Sequence, residues 1–236
     1  MKKFLILLTL LFVGLSASAE INEIETNVNM TNFWEKNGKS TQKVIEVGSK
    51  IINANKLDKR IPIMVAKDTK TANACAFMNP KLVVVYEGIL PYIDNDDELA
   101  FIMGHETAHS LDAYDGPAKW ITMQFNSKAY EYKADLIGID LMARAGYNPI
   151  ASITEMNKWM PESMFDYGIF TSHPKTSKRL FEMYKYIYKK YPSALNSDMV
   201  KNVNYQNFTY SAQKEIEDFQ QDEKRREDER KIKYAL

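Results

Sequence analysis

Residues 105–109 read His105-Glu106-Thr107-Ala108-His109. On an α-helix, positions i and i+4 lie on one face. The spacing therefore turns two imidazoles toward one point and sets a carboxylate beside them, which commits the segment to a helix and asks a second element for the remaining ligand. Two imidazoles so placed can grip one zinc ion, with Glu106 reaching a water at the metal as general base. Zinc lowers the pKa of its water toward ~7 and polarises a scissile carbonyl. The same pentapeptide also occurs as a pair of ordinary helix histidines. Against that, the chain has only 3 histidines and two of them are here. The surrounding segment also reads as a helix on its own. Asp94 to Asp97 suit the positive end of a helix dipole, Leu99, Ile102, Met103 and Ala108 follow, and the helix is expected to reach about Ala113, before Gly116-Pro117.

A second long helix is expected over 127–145, with Gly146 as its cap and Asn148-Pro149 forbidding continuation. It carries Glu131 and Asp135, again i and i+4. A catalytic zinc site takes three protein ligands and keeps a fourth position open, and two His with one Glu is such a set. Glu131 is the candidate third ligand, and Asp135 can accept a hydrogen bond from a ligand imidazole, fixing its orientation. Alone, Glu131 would read as a surface residue of an amphipathic helix; its pairing with the first helix favours the ligand.

The rest of the chain supplies the scaffold. Residues 61–66 and 82–86 are β-branched runs, with a strand expected between them at 74–78. An amphipathic helix is expected within 20–58, burying Val44, Ile45, Val47, Ile51 and Ile52, and further helices at about 150–160 and 176–191. The fold class is α+β, mostly helical with a small sheet. Cys75 is the only cysteine, so no intrachain disulfide can form; it reads as a small hydrophobe in a strand, with no base evident beside it. The segment 214–233 mixes both charge signs, as a solvated, salt-bridged helix or a frayed tail does.

The first residues resemble a secretory signal peptide. Lys2 and Lys3 precede an apolar stretch from Phe4 to Leu15, and Ala17-Ser18-Ala19 offers a cleavage site. The alternative, a membrane anchor, needs about 20 apolar residues, more than this stretch has. The expected organisation is a signal peptide at 1–19, a metallopeptidase domain at 20–195 and a charged C-terminal extension or tail at 196–236. The expected location is outside the cytoplasm, periplasmic or secreted. The mature chain is expected to have no membrane span, with peripheral membrane association left open. Acidic and basic residues number 31 each, and loss of Lys2 and Lys3 leaves the mature chain slightly acidic. That balance argues against a nucleic-acid partner.

The third histidine stands in Ser172-His173-Pro174, with Arg179 after it. From the residue alone, His173 is equally a donor to the oxyanion of a tetrahedral intermediate or a loop histidine with no role.

These segments together resemble the zinc peptidases that include the CAAX prenyl proteases, the heat-shock protease HtpX and soluble periplasmic relatives. The resemblance covers roughly 60–190. It is carried by Asn73-Ala74-Cys75-Ala76, Tyr86 to Leu90, Asp97 to Ala100, Gly104 to His109, Glu131 to Asp135, Ala145 to Pro149, and His173-Pro174 with Arg179. It implies a gluzincin fold and metal-dependent endopeptidase activity on peptides or unfolded proteins. It also implies one zinc per chain on His105, His109 and Glu131, Glu106 as base, and Asp135 behind the ligands. His173 and Arg179 become active-site groups, His173 near the oxyanion. The strand with Asn73, Ala74, Cys75 and Ala76 resembles the edge on which such enzymes lay the substrate backbone, as an added strand. The chain departs from relatives that insert a longer segment, including membrane helices, between the second histidine and the glutamate: only 21 residues separate His109 from Glu131. Ser110-Leu111-Asp112 also depart from the usual hydrophobic-then-basic pattern. Two other readings compete: a catalytically silent chaperone or binding module of the same fold, against which the intact Glu106 speaks, and a thermolysin-like peptidase of different fold, which the outlying motifs disfavour.

Overall fold

In the computed structural model, residues 39–57, 61–78, 81–111, 127–160 and 175–235 are described. The expected signal peptide, the start of the N-terminal helix and His173 lie outside them. The chain divides into Met1–Lys43 and Val44–Leu236. Of the first unit, only the opening of helix α1 (Lys39–Ala54) falls within the described residues; the second unit carries everything below.

Among the described residues three short strands form one sheet: β1 (Ile63–Ala66), β2 (Ala74–Met78) and β3 (Lys81–Tyr86). β3 is central, parallel to β1 and antiparallel to β2, with Cys75 opposite Val84 and Ala74 opposite Val85. Its Leu82, Val83, Val84 and Val85 are all buried, so an uninterrupted apolar run sits between two neighbours. Among the described residues β2 is an edge of this sheet. The strands coincide with the β-branched runs of the sequence, except that Ile61 and Pro62 precede β1. Pro62, which has no N–H to donate, still accepts a hydrogen bond from Val83 N through its carbonyl.

After a 3-10 turn (Glu87–Tyr92) comes α2 (Asp96–Leu111), which holds the two histidines. Its start is fixed by capping. Asn95 Oδ1 accepts from Glu98 N at 2.9 Å, while the Glu98 carboxylate reaches back to accept from Asp94 N at 2.9 Å. Helix α3 (Ser127–Arg144) carries Glu131 and Asp135. It ends as the sequence requires. Gly146 has φ +82°, Tyr147 N donates to Met142 O and Gly146 N to Ala143 O, the pattern of a glycine-terminated helix. Then follow α4 (Ala151–Trp159), α5 (Thr176–Lys190), two 3-10 turns, α6 (Val203–Ser211) and α7 (Gln213–Ala235).

One apolar core joins these pieces, with Val85 from the sheet, Met103 from α2, Ile139 from α3, Ile153 from α4, Met183 from α5 and Phe208 from α6. Ile216 of α7 reaches it too, whereas Ile232, farther along that helix, is exposed. Among the described residues no helix is long and apolar enough to cross a membrane.

The position of the site depends on how closely α2 and α3 pack. A Cβ at Gly104 would stand 2.7 Å from the carbonyl oxygen of Gly138, and a Cβ at Gly138 would stand 2.8 Å from the backbone nitrogen of His105. The clashing atoms are backbone, so no side chain can swing aside. Two glycines facing each other let the helix backbones touch, and this draws Glu131 to the histidines. Helix propensity alone makes Gly138→Ala stabilising by about 1 kcal/mol; the overpacked crossing opposes this by ~1–3 kcal/mol. We expect Gly138→Ala to lower stability in urea unfolding and to weaken metal retention in parallel. A more stable variant with undiminished metal would show that the crossing does not constrain the site.

Candidate metal centre

The site sits where α2 and α3 cross. His105 and His109 bring their Nε2 atoms to 3.1 Å from each other. From α3, Glu131 places Oε1 3.4 Å from His109 Nε2 and Oε2 3.7 Å from His105 Nε2. Among the described residues these three form a group whose ligand atoms all lie within 4.8 Å of one another, as a metal-holding set requires. Ligands about 2.0–2.1 Å from a tetrahedral zinc lie roughly 3.3 Å apart. The two Nε2 atoms, 3.1 Å apart, match that edge, and Glu131 brings one oxygen to 3.4 Å from His109 and its other oxygen to 3.7 Å from His105, so the donors fit the ion in chemistry and lie close to the spacing it needs.

Behind the donors lies a layer of charge. Asp135 Oδ1 is 3.0 Å from His105 Nδ1, on the far side of the ring from the Nε2 that faces His109. The distance suits a hydrogen bond, though the direction is off the ideal line. Arg179 reaches across from α5. Its Nε donates to Asp135 Oδ2 at 2.7 Å, its Nη2 to Asp135 Oδ1 at 2.6 Å, and its Nη1 lies 3.2 Å from Glu131 Oε2. The planar guanidinium thus holds one carboxylate by a fork and steadies the other. Asp135 and Arg179 are 1% and 2% exposed, so neither charge has water as a substitute partner.

The electrostatics follow from these contacts. Burial alone would raise the Asp135 pKa, but the Arg179 hydrogen bonds and the adjacent His105 ring outweigh it and hold the carboxyl below its ordinary value. Burial pulls His105 down, and the adjacent Asp135 carboxylate more than reverses this, raising it. Glu106 is pushed above the usual carboxylate range, first by loss of water and also by the charge of Glu131, against the pull of both histidines. A carboxyl so raised accepts and releases a proton nearer neutrality than a solvated one.

Glu106, the histidines and Glu131 open onto a cleft of about 380 Å³. One wall is β2 with the residue before it: Asn73, Ala74, Cys75 and Ala76 all line the cleft. Cys75 is half-buried there. Another wall is α4, with Glu155, Met156 and Trp159, and Met160 at its C-terminal end. Sequence reasoning missed that wall, because nothing in the local pattern of 151–160 distinguishes a cleft-facing helix from a core helix. Glu155 is 2% exposed, and burial pushes its carboxyl up to about 7, with Lys158 opposing the shift and Glu98 adding to it. Lys158 ties α4 to the start of α2, through Glu98 at 2.6 Å and Asp94 at 2.9 Å.

Of the residues expected at the site, the structure brings together His105, Glu106, His109, Glu131, Asp135, Arg179 and the 73–76 segment. Arg179 lines the cleft, but its donors go to Asp135 and Glu131, with Nη1 also donating to Met160 Sδ at 3.8 Å.

The chain matches peptidase family M48 over residues 38–113 and 117–187. It is also similar to the mitochondrial metalloendopeptidase OMA1 of Arabidopsis thaliana, 28% identical over 127 residues, with 41% of this chain and 26% of that protein covered. The match thus spans about a quarter of that relative's length.

The buried Arg179–Asp135 pair yields a stability test. Removing one member strands the other's charge away from water, at a cost of about 3–5 kcal/mol. Asp135→Asn and Arg179→Met are each expected to lose stability on that scale in urea unfolding, and the double variant to lose ~0.5–3 kcal/mol less than their sum. Strictly additive losses would mean the pair does not act as a unit.

Proposed function

The chain belongs to peptidase family M48, a family of metallopeptidases, and on that footing we propose that it is an exported zinc endopeptidase acting on unfolded or misassembled proteins. His105, His109 and Glu131 hold the ion. The observation that carries this reading is the convergence of three donors, all within 4.8 Å of one another, beside Glu106 in a cleft lined by β2.

Zinc held there supplies a Lewis acid for the scissile carbonyl and a more acidic water. The residues of the chain do the rest. β2 takes the substrate backbone as an additional strand, fixing the peptide by main-chain hydrogen bonds. Glu106 accepts the proton of the attacking water as its oxygen bonds to the carbonyl carbon. It then delivers that proton to the amide nitrogen as the carbon–nitrogen bond breaks. Asp135 holds the His105 ring so that Nε2 is the donor atom. Arg179 is a positioning residue, holding Asp135 and Glu131 together. His173 is assigned the oxyanion, where a preorganised donor acts on charge that develops only in the transition state.

Export rests on the pattern of residues 1–19; sequencing the N-terminus of protein exported from a bacterial host should begin at Glu20, and an intact Met1 would reject it. A catalytically silent chaperone of the same fold is the competing reading, and it has no use for Glu106.

Kinetics on a quenched fluorescent peptide, with zinc content measured in parallel, separate the two. Glu106→Gln should keep one zinc and lose ~10²–10⁴ in turnover, because the amide cannot take the water's proton. His173→Ala should also keep zinc, hold KM within a few-fold and lose ~10²–10³ in kcat. Wild-type rates in Glu106→Gln would remove the mechanism, and unchanged kcat in His173→Ala would return that residue to an ordinary loop position.

A further inference from the structure

The two walls of the cleft differ in what they can offer a peptide. Among the described residues β2 is an outer strand of its sheet, the kind of element that recognises a peptide through its backbone. α4 is a helix, whose backbone groups are bonded internally along most of its length. It can present only side chains, and those that line the cleft are Met156, Trp159, Met160 and Glu155. Phe101 and Ile102 of α2 extend the same apolar surface. Trp159 is braced by Tyr92, ring centroids 6.1 Å apart, and Met160 is 37% exposed. From this division of labour we propose that the α4 wall is the side-chain subsite that sets cleavage preference, accepting a large apolar residue and rejecting an acidic one. The proposal rests on the reading of the cleft as a peptidase site.

The attraction is ordinary burial of apolar area against aromatic and thioether groups. Methionine is unbranched and polarisable, so this wall can fit several large shapes, Leu, Phe and Met among them, without selecting one. The rejection comes from behind the wall. Lys158 is shared among Glu98 at 2.6 Å, Asp94 at 2.9 Å and Glu155 at 3.2 Å. Three carboxyl groups thus draw on one ammonium, and another carboxylate brought to the wall finds repulsion and lost water together. The Glu155 oxygens are sealed from solvent, with Lys158 Nζ 3.2 Å from Oε2. They therefore act on a substrate charge through space, and offer no contact that would select a basic residue.

The test uses full-length, zinc-loaded Glu106→Gln protein, so that preference is read as binding whether or not the peptides are cleaved. The probes are fluorescent peptides of one Ala/Ser sequence carrying a single Leu, Phe, Lys or Glu, followed by anisotropy. Leu and Phe should bind about tenfold or more tighter than the Ala parent, as apolar pockets allow, Lys about equally to the parent, and Glu more weakly. Adding Trp159→Ala or, at the more exposed position, Met160→Ser should shrink the Leu advantage at least threefold while zinc content is kept. Glu155→Gln should narrow the penalty on Glu. Equal affinity across the set, no measurable binding of any peptide, or a Leu advantage that survives both wall variants would overturn the subsite. Failure of the peptidase reading would appear separately, as absence of turnover by the wild-type protein on every peptide.

Discussion

Two helices can supply a three-donor metal site only if their axes approach closely, and here that approach depends on two glycines. Gly104 directly precedes His105, and Gly138 lies about one turn beyond Asp135. Without side chains at that crossing, the backbone of α3 comes to within contact of the backbone of α2, and Glu131 lies in reach of both imidazoles. The helices pay for this with residues of poor helix propensity, which the buried faces of both offset by packing into the shared core. Arg179 then locks the arrangement from a third helix, turning two carboxylates of α3 toward fixed places. Donors held by backbone contact and a buried ion pair have little freedom left to lose when a metal arrives.

The same logic extends to the cleft. α2 packs on β2 on one side and on α4 on another, so the helix that carries the histidines also fixes both cleft walls relative to them. The Glu98–Lys158 pair and the Thr154 hydroxyl, which donates to Glu98, hold α4 and the start of α2 together. In the proposed reaction, substrate backbone, reacting carbonyl and flanking side chain would each be registered against one rigid element, which is what productive orientation demands.

Much of this was legible in the sequence, for identifiable reasons. A helix has a fixed period, so His105 and His109, and likewise Glu131 and Asp135, could be placed on common faces without a structure. The strands stood out because Leu82 to Val85 are buried on both faces and therefore uniformly apolar. Gly146 announced its own left-handed conformation. What stayed hidden depends on contacts distant in sequence. Gly138 reads only as a weak spot in a helix until Gly104 is seen against it. Arg179 looks like a cleft cation until its donors are found on Asp135 and Glu131. Glu98 reads as a first-turn acid, yet it is fully buried, accepting from Thr154 and Lys158. Tyr205 and Phe208 lie within the segment 196–236 expected as a charged extension or tail, and still they reach the core. His173 and the first 19 residues lie outside the described residues, and their roles remain those proposed from sequence.

The central claim is that a His₂Glu set holds zinc at the α2–α3 crossing. X-ray absorption at the zinc edge of the purified full-length protein tests it most directly. The account predicts a shell of nitrogen and oxygen neighbours at about 2.0–2.1 Å with the outer-shell signature of two imidazoles, and no sulfur. A neighbour at about 2.3 Å would bring the Cys75 thiolate into the coordination sphere and contradict the ligand set, as would a first shell containing fewer than two imidazoles.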